Sequence, residues 1–134
     1  MDVFVYGTLT DRDRAAAVLG REGFVDLGPA RLRGLHRVEA RYPTLAPGGR
    51  VDGALLRTGR VGALDRYEGV ADGLYVRVSV PAGGDRAAVY VGDPDRADLA
   101  ERVAWPGEGP FEERVERYVR GNRVVVERPD RPDS

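Results

Sequence analysis

Val3-Phe4-Val5-Tyr6 is a continuous apolar and β-branched run that stops at Gly7-Thr8-Leu9-Thr10. An alternating strand needs cover on one face only. A run without alternation suits a strand buried on both faces. Thr10-Asp11-Arg12-Asp13 then reads as a helix start, with a capping residue and acid in the first turn. Ala15, Ala16, Val18 and Leu19 form a helical apolar stripe, and Gly20 is a natural stop. The chain therefore opens as strand, tight glycine turn, helix.

Beyond that opening, breakers punctuate short apolar runs. Phe24–Val38 alternates loosely around Gly28, Pro29 and Gly34 and reads as two short or bent strands. Residues 41–49, RYPTLAPGG, read as a loop in which Pro43 forces Tyr42 to be extended, and Val51–Arg57 as a further strand. Thr58 is placed to cap a short helix through Val61, Leu64 and Tyr67 that Gly69 stops. Leu74–Val80 and Arg86–Val91 are strands joined by a hairpin turn at Pro81-Ala82-Gly83-Gly84-Asp85. Asp95–Val103 and Phe111–Arg120 have helical periodicity, and Val124-Val125-Val126 suits a last short strand. These elements predict an α+β fold, a small barrel with short flanking helices. Its 134 residues suffice for one core, so residues 1–127 are expected to form one domain and 128–134 a disordered tail.

Composition removes most chemistries. With no cysteine and a single histidine, His36, thiolate nucleophiles and the usual zinc constellations are excluded. The only serines, Ser79 and Ser134, lie in a predicted strand and in the tail, which argues against a Ser-His-Asp triad. No GxGxxG or phosphate-loop glycine pattern is present. A net charge of -1 calls for neither nucleic acid nor an anionic membrane. Without a signal peptide or a membrane-length apolar run, a soluble cytoplasmic protein is expected.

Carboxylates, tyrosines and backbone amides remain. The turn after the first strand can point the N–H groups of Gly7, Thr8 and Leu9 into one concavity, with Gly7 free to adopt positive φ. That nest would favour an anion or a carbonyl oxygen; the same residues also suit an ordinary strand-to-helix turn. In Leu64-Asp65-Arg66-Tyr67-Glu68-Gly69, helical spacing puts Tyr67 on the core face with Leu64 and sets Glu68 inward or along the core's rim. The strand Tyr75-Val76-Arg77 returns beside it.

Taken together, these segments resemble the γ-glutamyl cyclotransferase-like family. The resemblance rests on Tyr6-Gly7-Thr8-Leu9 ending the first strand, Arg41-Tyr42-Pro43-Thr44-Leu45, and Leu64-Asp65-Arg66-Tyr67-Glu68-Gly69 succeeded by Tyr75-Val76-Arg77. Trp105 lies near a tryptophan common in the family's last third. Thr8-Leu9 directly after Gly7 is similar to the short branch that includes γ-glutamylamine cyclotransferases. The resemblance implies a mixed β-barrel with no metal or cofactor, a small-molecule γ-glutamyl substrate, and release of 5-oxoproline by intramolecular cleavage of a γ-glutamyl amide. It implies Glu68 as acid/base catalyst and Tyr6, Gly7, Thr8 and Leu9 as binding residues. Tyr42, Tyr75 and Arg77 are further candidate contacts, although Arg77 could equally pair with Asp65 or Asp72, and Trp105 suits a packing anchor.

Intramolecular attack needs no Ser, Cys or water activation, in keeping with what the chain lacks. A free Glu of pKa about 4.3 is a poor base for an α-amine of pKa about 8, so Glu68 is expected to be partly buried with a raised pKa, walled by Tyr67 and Tyr75. Three functions stay open: cleavage of γ-glutamyl amino acids or peptides, cleavage of γ-glutamylamines including the lysine isopeptide, and a non-catalytic module binding a γ-glutamyl or acidic metabolite. The protein is expected to be a monomer or homodimer.

Overall fold

The computed structural model describes residues 1–39, 43–96 and 103–128. Six strands close into a barrel in the order β1 (Asp2–Val5), β3 (Thr44–Thr58), β2 (Phe24–Val38), β6 (Val125–Glu127), β4 (Tyr75–Ala82) and β5 (Asp85–Gly92). Most neighbours are antiparallel. β1 runs parallel to β5, and β4 meets β6 in parallel at the single pair Ala82–Val126. Among the described residues three α-helices flank the barrel: α1 (Arg12–Leu19), α2 (Val61–Glu68) and α3 (Phe111–Gly121). The expected helix at 95–103 lies mostly outside the described residues, as does the tail from 129.

β1 is buried on both faces, and its residues divide between two cores. Phe4 joins a cluster drawn from all six strands, capped by Val115 and Val119 of α3 and by Trp105. Val3 and Val5 face the other way, with Leu56, Ala88 and Tyr90, beneath Ala15 and Leu19 of α1 and Leu64 of α2. Each fully buried Val, Leu or Phe among them contributes about 1.5–3 kcal/mol. The strand pinned between the cores delivers Tyr6 and Gly7 at its carboxyl end.

Two expectations about strands are corrected. Phe24–Val38 is one fifteen-residue strand, not two. Gly28 and Gly34, both at φ 98°, sit at register shifts of its ladder with β3, so the breakers bend the strand without ending it. Residues 44–49 are likewise strand, not loop. Pro47 pairs with Leu35 beside the second shift, where β1 no longer flanks β3 and no N–H is needed on that side.

Asp11 caps α1, accepting from the Asp13 N–H at 2.9 Å, and Gly20 ends it at φ 83°. The Gly83-Gly84 turn closes the β4–β5 hairpin. Thr58 acts one step earlier than expected: its Oγ1 accepts from the Arg60 N–H at 3.0 Å, and Arg60 stands at the helix cap. The Arg60 guanidinium in turn donates to the Leu19 carbonyl at 2.9 Å, tying the end of α1 to the start of α2.

Candidate active site

At the Tyr6 end of the barrel lies a cleft of about 530 Å³, lined by Tyr6, Gly7 and Thr8 on one side and by Tyr67, Glu68, Leu74, Tyr75 and Arg96 on the other. Tyr6 is anchored twice. Its buried hydroxyl donates to the Tyr90 carbonyl at 2.6 Å, and its own carbonyl accepts from the Arg37 guanidinium at 2.5 Å. Burial, with Tyr75 and Glu68 nearby, pushes the Tyr6 hydroxyl far above its ordinary pKa, so it stays a neutral donor.

After Tyr6 the chain enters a 3-10 turn at Thr8–Thr10, held by the Thr10 N–H and Oγ1, which donate to the Gly7 carbonyl at 3.1 and 2.7 Å. Gly7 takes φ -117°, so it is not needed for a left-handed turn as the sequence suggested. What glycine supplies is space: a Cβ at Gly7 would meet no atom within 4 Å, leaving the backbone open to approach. Among the described residues the N–H groups of Gly7, Thr8 and Leu9 donate to no acceptor. Leu9 itself is 3% exposed and packs in the core beneath α1, so only its backbone belongs to the turn's open side.

Glu68 is the last residue of α2 and is half-buried. Gly69 ends the helix in the left-handed region at φ 69°, with its N–H returning to the Arg66 and Asp65 carbonyls. The chain then makes a second 3-10 turn, Val70–Asp72, and the Leu74 N–H donates to the Gly69 carbonyl at 3.1 Å. This closed bend fixes where Glu68 points. Among the described residues its carboxylate has neither an ion pair nor a hydrogen bond, and burial raises its pKa from 4.5 to about 7. The carbonyl end of α2 acts in the same direction.

The tyrosines divide. Tyr67 is 40% exposed and not on the core face beside Leu64, which is fully buried. Its hydroxyl shares a 2.7 Å hydrogen bond with Thr8 Oγ1, linking the two walls of the cleft. Tyr75 lines the cleft and donates to the Pro43 carbonyl at 2.6 Å. Tyr42 lies outside the described residues, as does Arg41. Arg77 takes one of the alternative pairings that the sequence left open. It does not line the cleft and pairs instead with Asp65 at 3.3 Å, where the Tyr90 hydroxyl also donates at 2.6 Å. Trp105 is 5% exposed and packs edge-on against Phe111 and Tyr118, the anchor expected of it.

Arg37, which the sequence places near the pocket loops, holds the Tyr6 carbonyl. Two contributors were not foreseen: Arg96 lines the cleft, and Thr44 braces its floor through Gly92. The fully buried Thr44 hydroxyl accepts from the Gly92 N–H at 2.7 Å and donates to the Gly92 carbonyl at 3.2 Å. A turn signature, Gly92-Asp93-Pro94-Asp95, marks where β5 ends at the cleft and is the signal that precedes Arg96. Thr44→Val keeps the shape but strands both Gly92 groups. It is expected to lower stability by about 2–3 kcal/mol in denaturant titration, against no loss for an isosteric change at a solvated threonine.

A second groove, of about 540 Å³, lies at the Asp2 end of the barrel between Arg57 and the Gly83-Gly84 turn. Asp2 is paired there with Arg57 at 2.8 Å and Glu127 with Arg33 at 2.6 Å, and none of the candidate residues reaches it. Its size does not outweigh the chemistry of the Tyr6 end.

A closed six-stranded mixed barrel with three short helices is the fold of γ-glutamyl cyclotransferase-like proteins. Residues 3–108 match the family model "Gamma-glutamyl cyclotransferase, AIG2-like", and the chain belongs to that family. The fold is shared with a solved protein named gamma-glutamyl cyclotransferase, at 16% identity and TM-score 0.57 over 90% of this chain and 99% of that one. It is shared with At3g28950.1 from Arabidopsis thaliana, at 28% identity and TM-score 0.52 over 84% of this chain and 70% of that one. PH0828 from Pyrococcus horikoshii, described as uncharacterized, has 19% identity and TM-score 0.55 over 69% of this chain and 77% of that one. No curated protein matches the chain in sequence. Among the described residues no helix is long and apolar enough to cross a membrane.

Proposed function

We propose that the protein releases 5-oxoproline from a γ-glutamyl amino acid or peptide, with Glu68 as its acid/base. The observation that carries this reading is a half-buried glutamate of pKa about 7, without a partner among the described residues, in the same cleft as the Gly7–Thr8 backbone.

The chemistry balances without water or cofactor. The substrate's α-ammonium gives a proton to the Glu68 carboxylate, and the freed amine attacks the γ-carbonyl carbon. A new C–N bond closes the five-membered ring. That proton passes from Glu68 to the leaving nitrogen as the original amide bond breaks, and the ring nitrogen's second proton follows through the regenerated carboxylate, leaving a neutral lactam and an ammonium product. With Glu68 near 7 and an α-amine near 8, both transfers are close to balanced, the condition under which one carboxylate serves as base and then acid. The oxyanion formed on the γ-carbonyl needs donors, and the N–H groups of Gly7, Thr8 and Leu9 are suited to that task. Holding the tethered amine against its carbonyl supplies much of the acceleration, since oriented intramolecular reactions reach effective molarities of about 10⁵–10⁸ M.

The test is 5-oxoproline release from a panel of γ-glutamyl amino acids, dipeptides and amines. Release from none of them by folded protein would leave a binding module in place of the enzyme. The pH profile adds a sharper expectation. Glu68 must begin as carboxylate, so kcat/KM should rise with pH through an apparent pKa near 7. An acid limb near the ordinary value of 4.5 would remove burial of Glu68 from the mechanism.

A further inference from the structure

We propose that the mouth of the cleft selects the leaving group by two features, a carboxylate taken by Arg96 and an apolar side chain covered by Tyr67 and Leu74. This rests on the cleft being the γ-glutamyl site, and it narrows the substrate to γ-glutamyl derivatives of apolar amino acids. Decarboxylated amines would be disfavoured.

The argument starts from where Glu68 must be. A carboxylate that serves both the attacking and the leaving nitrogen lies alongside the bond that breaks. The γ-glutamyl head then occupies the side toward the Gly7 and Thr8 backbone and the buried Tyr6 hydroxyl. The region farther toward solvent faces the departing group. Among the described residues Tyr67 and Leu74, at 40% and 41% exposure, are two of the few large apolar side chains left uncovered, and both line this cleft. Exposed apolar surface inside a concave site is what a ligand's apolar part covers.

Arg96 supplies the polar half. It is exposed on the cleft's rim beside Gly73, and among the described residues no carboxylate pairs with it. The Asp93 carboxylate, three residues before it, accepts instead from the Asp95 N–H at 3.0 Å. Apart from Glu68, Arg96 is the sole charged side chain lining the cleft among the described residues, and it is a planar donor suited to a carboxylate. Arg37 is committed to the Tyr6 carbonyl and Arg77 to Asp65, so neither competes for that role.

Two ligands isolate the carboxylate: γ-glutamyl-leucine and γ-glutamyl-isoamylamine, identical except for that group. Glu68→Gln, which retains the cleft without a base, is titrated with each by calorimetry. The leucine compound is expected to bind about tenfold tighter, a charge-assisted pair discounted for exposure. Adding Arg96→Gln should bring the two affinities together, and adding Leu74→Asn instead should weaken both alike. Equal affinity in Glu68→Gln, a preference that survives Arg96→Gln, or binding of neither ligand would overturn the proposal. Wild-type 5-oxoproline release, measured alongside, separates it from the reading it rests on. Discrimination without release would sink the reaction and leave the recognition standing. Release without discrimination would sink the recognition alone.

Discussion

Glu68→Gln is expected to cut 5-oxoproline release by about 10²–10⁴-fold while making the folded protein more stable at neutral and alkaline pH. Loss of activity and gain of stability go together here because the site keeps a carboxylate half-buried without a partner among the described residues. The folded protein holds the Glu68 proton up to about pH 7, whereas the unfolded chain releases it near 4.5. Between those values the folded state binds more protons than the unfolded one, so stability falls as pH rises. The contribution is complete below about pH 4.5 and lost once pH has passed about 7.

Glutamine carries no charge to desolvate and escapes that loss. Discounted for partial solvent access and for the amide's own desolvation, the gain over wild type at pH 8 should be on the order of 2 kcal/mol. It should vanish toward pH 4. Urea titrations of both proteins at pH 4, 6 and 8 read it directly. A wild type whose stability relative to Glu68→Gln is the same at all three pH values would mean that Glu68 is solvated. The case for it as a tuned base would fall with that result. Equal turnover by the two proteins would remove Glu68 from the chemistry whatever its environment.

The placement of Glu68 was legible from helix geometry, and that of Tyr67 was not. At about 100° per residue, Glu68 lies some 40° from Leu64 around α2 and Tyr67 some 60° to the other side. Leu64 alone defines the buried stripe of an eight-residue helix, so the residue nearer to it is drawn inward and the other is left at the edge. Tyr67 then bridges to Thr8, a contact 59 residues away that no local pattern encodes. The strands show a similar division. Val3–Val5 reads correctly because continuous apolar character has one main use in a strand. Gly28, Gly34 and Pro47 mislead because a breaker can end a strand or be absorbed as a bulge, and only the partner strand decides. Arg96 carries no periodicity at all. It owes its place to the point where β5 ends, a property of the barrel.

Gly53→Ala is expected to be among the most damaging single substitutions in the chain, although it adds one methyl group far in sequence from Glu68. Gly53 lies in β3 opposite Ala30, just past the last register pair between β3 and β1, Val5–Ala54. A Cβ there would stand 2.1 Å from the Val5 carbonyl oxygen and 2.9 Å from the Phe4 ring. The oxygen belongs to backbone, so rotamer changes cannot relieve it. Either β1 or β3 must move. β1 is held on its other edge by β5 and by apolar cores on both faces, so its displacement strips contacts from each. A loss of about 3 kcal/mol or more is expected in denaturant titration, at the upper end for overpacking. The substitution also tests how the site is built. Val5 immediately precedes Tyr6, so a shifted β1 moves the Gly7–Leu9 amides relative to Glu68, which α2 carries independently. Turnover by the fraction that remains folded should therefore drop, and kcat should fall more than KM rises, because an oxyanion donor matters most in the transition state. Gly121→Ala is the control: its Cβ meets nothing within 4 Å at the end of α3, and it should be neutral or gain up to about 1 kcal/mol. If Gly53→Ala were as stable as the control, the seam between β1 and β3 would be loose enough to admit a methyl group. The rigid delivery of Tyr6 and Gly7 to the cleft would then need another explanation.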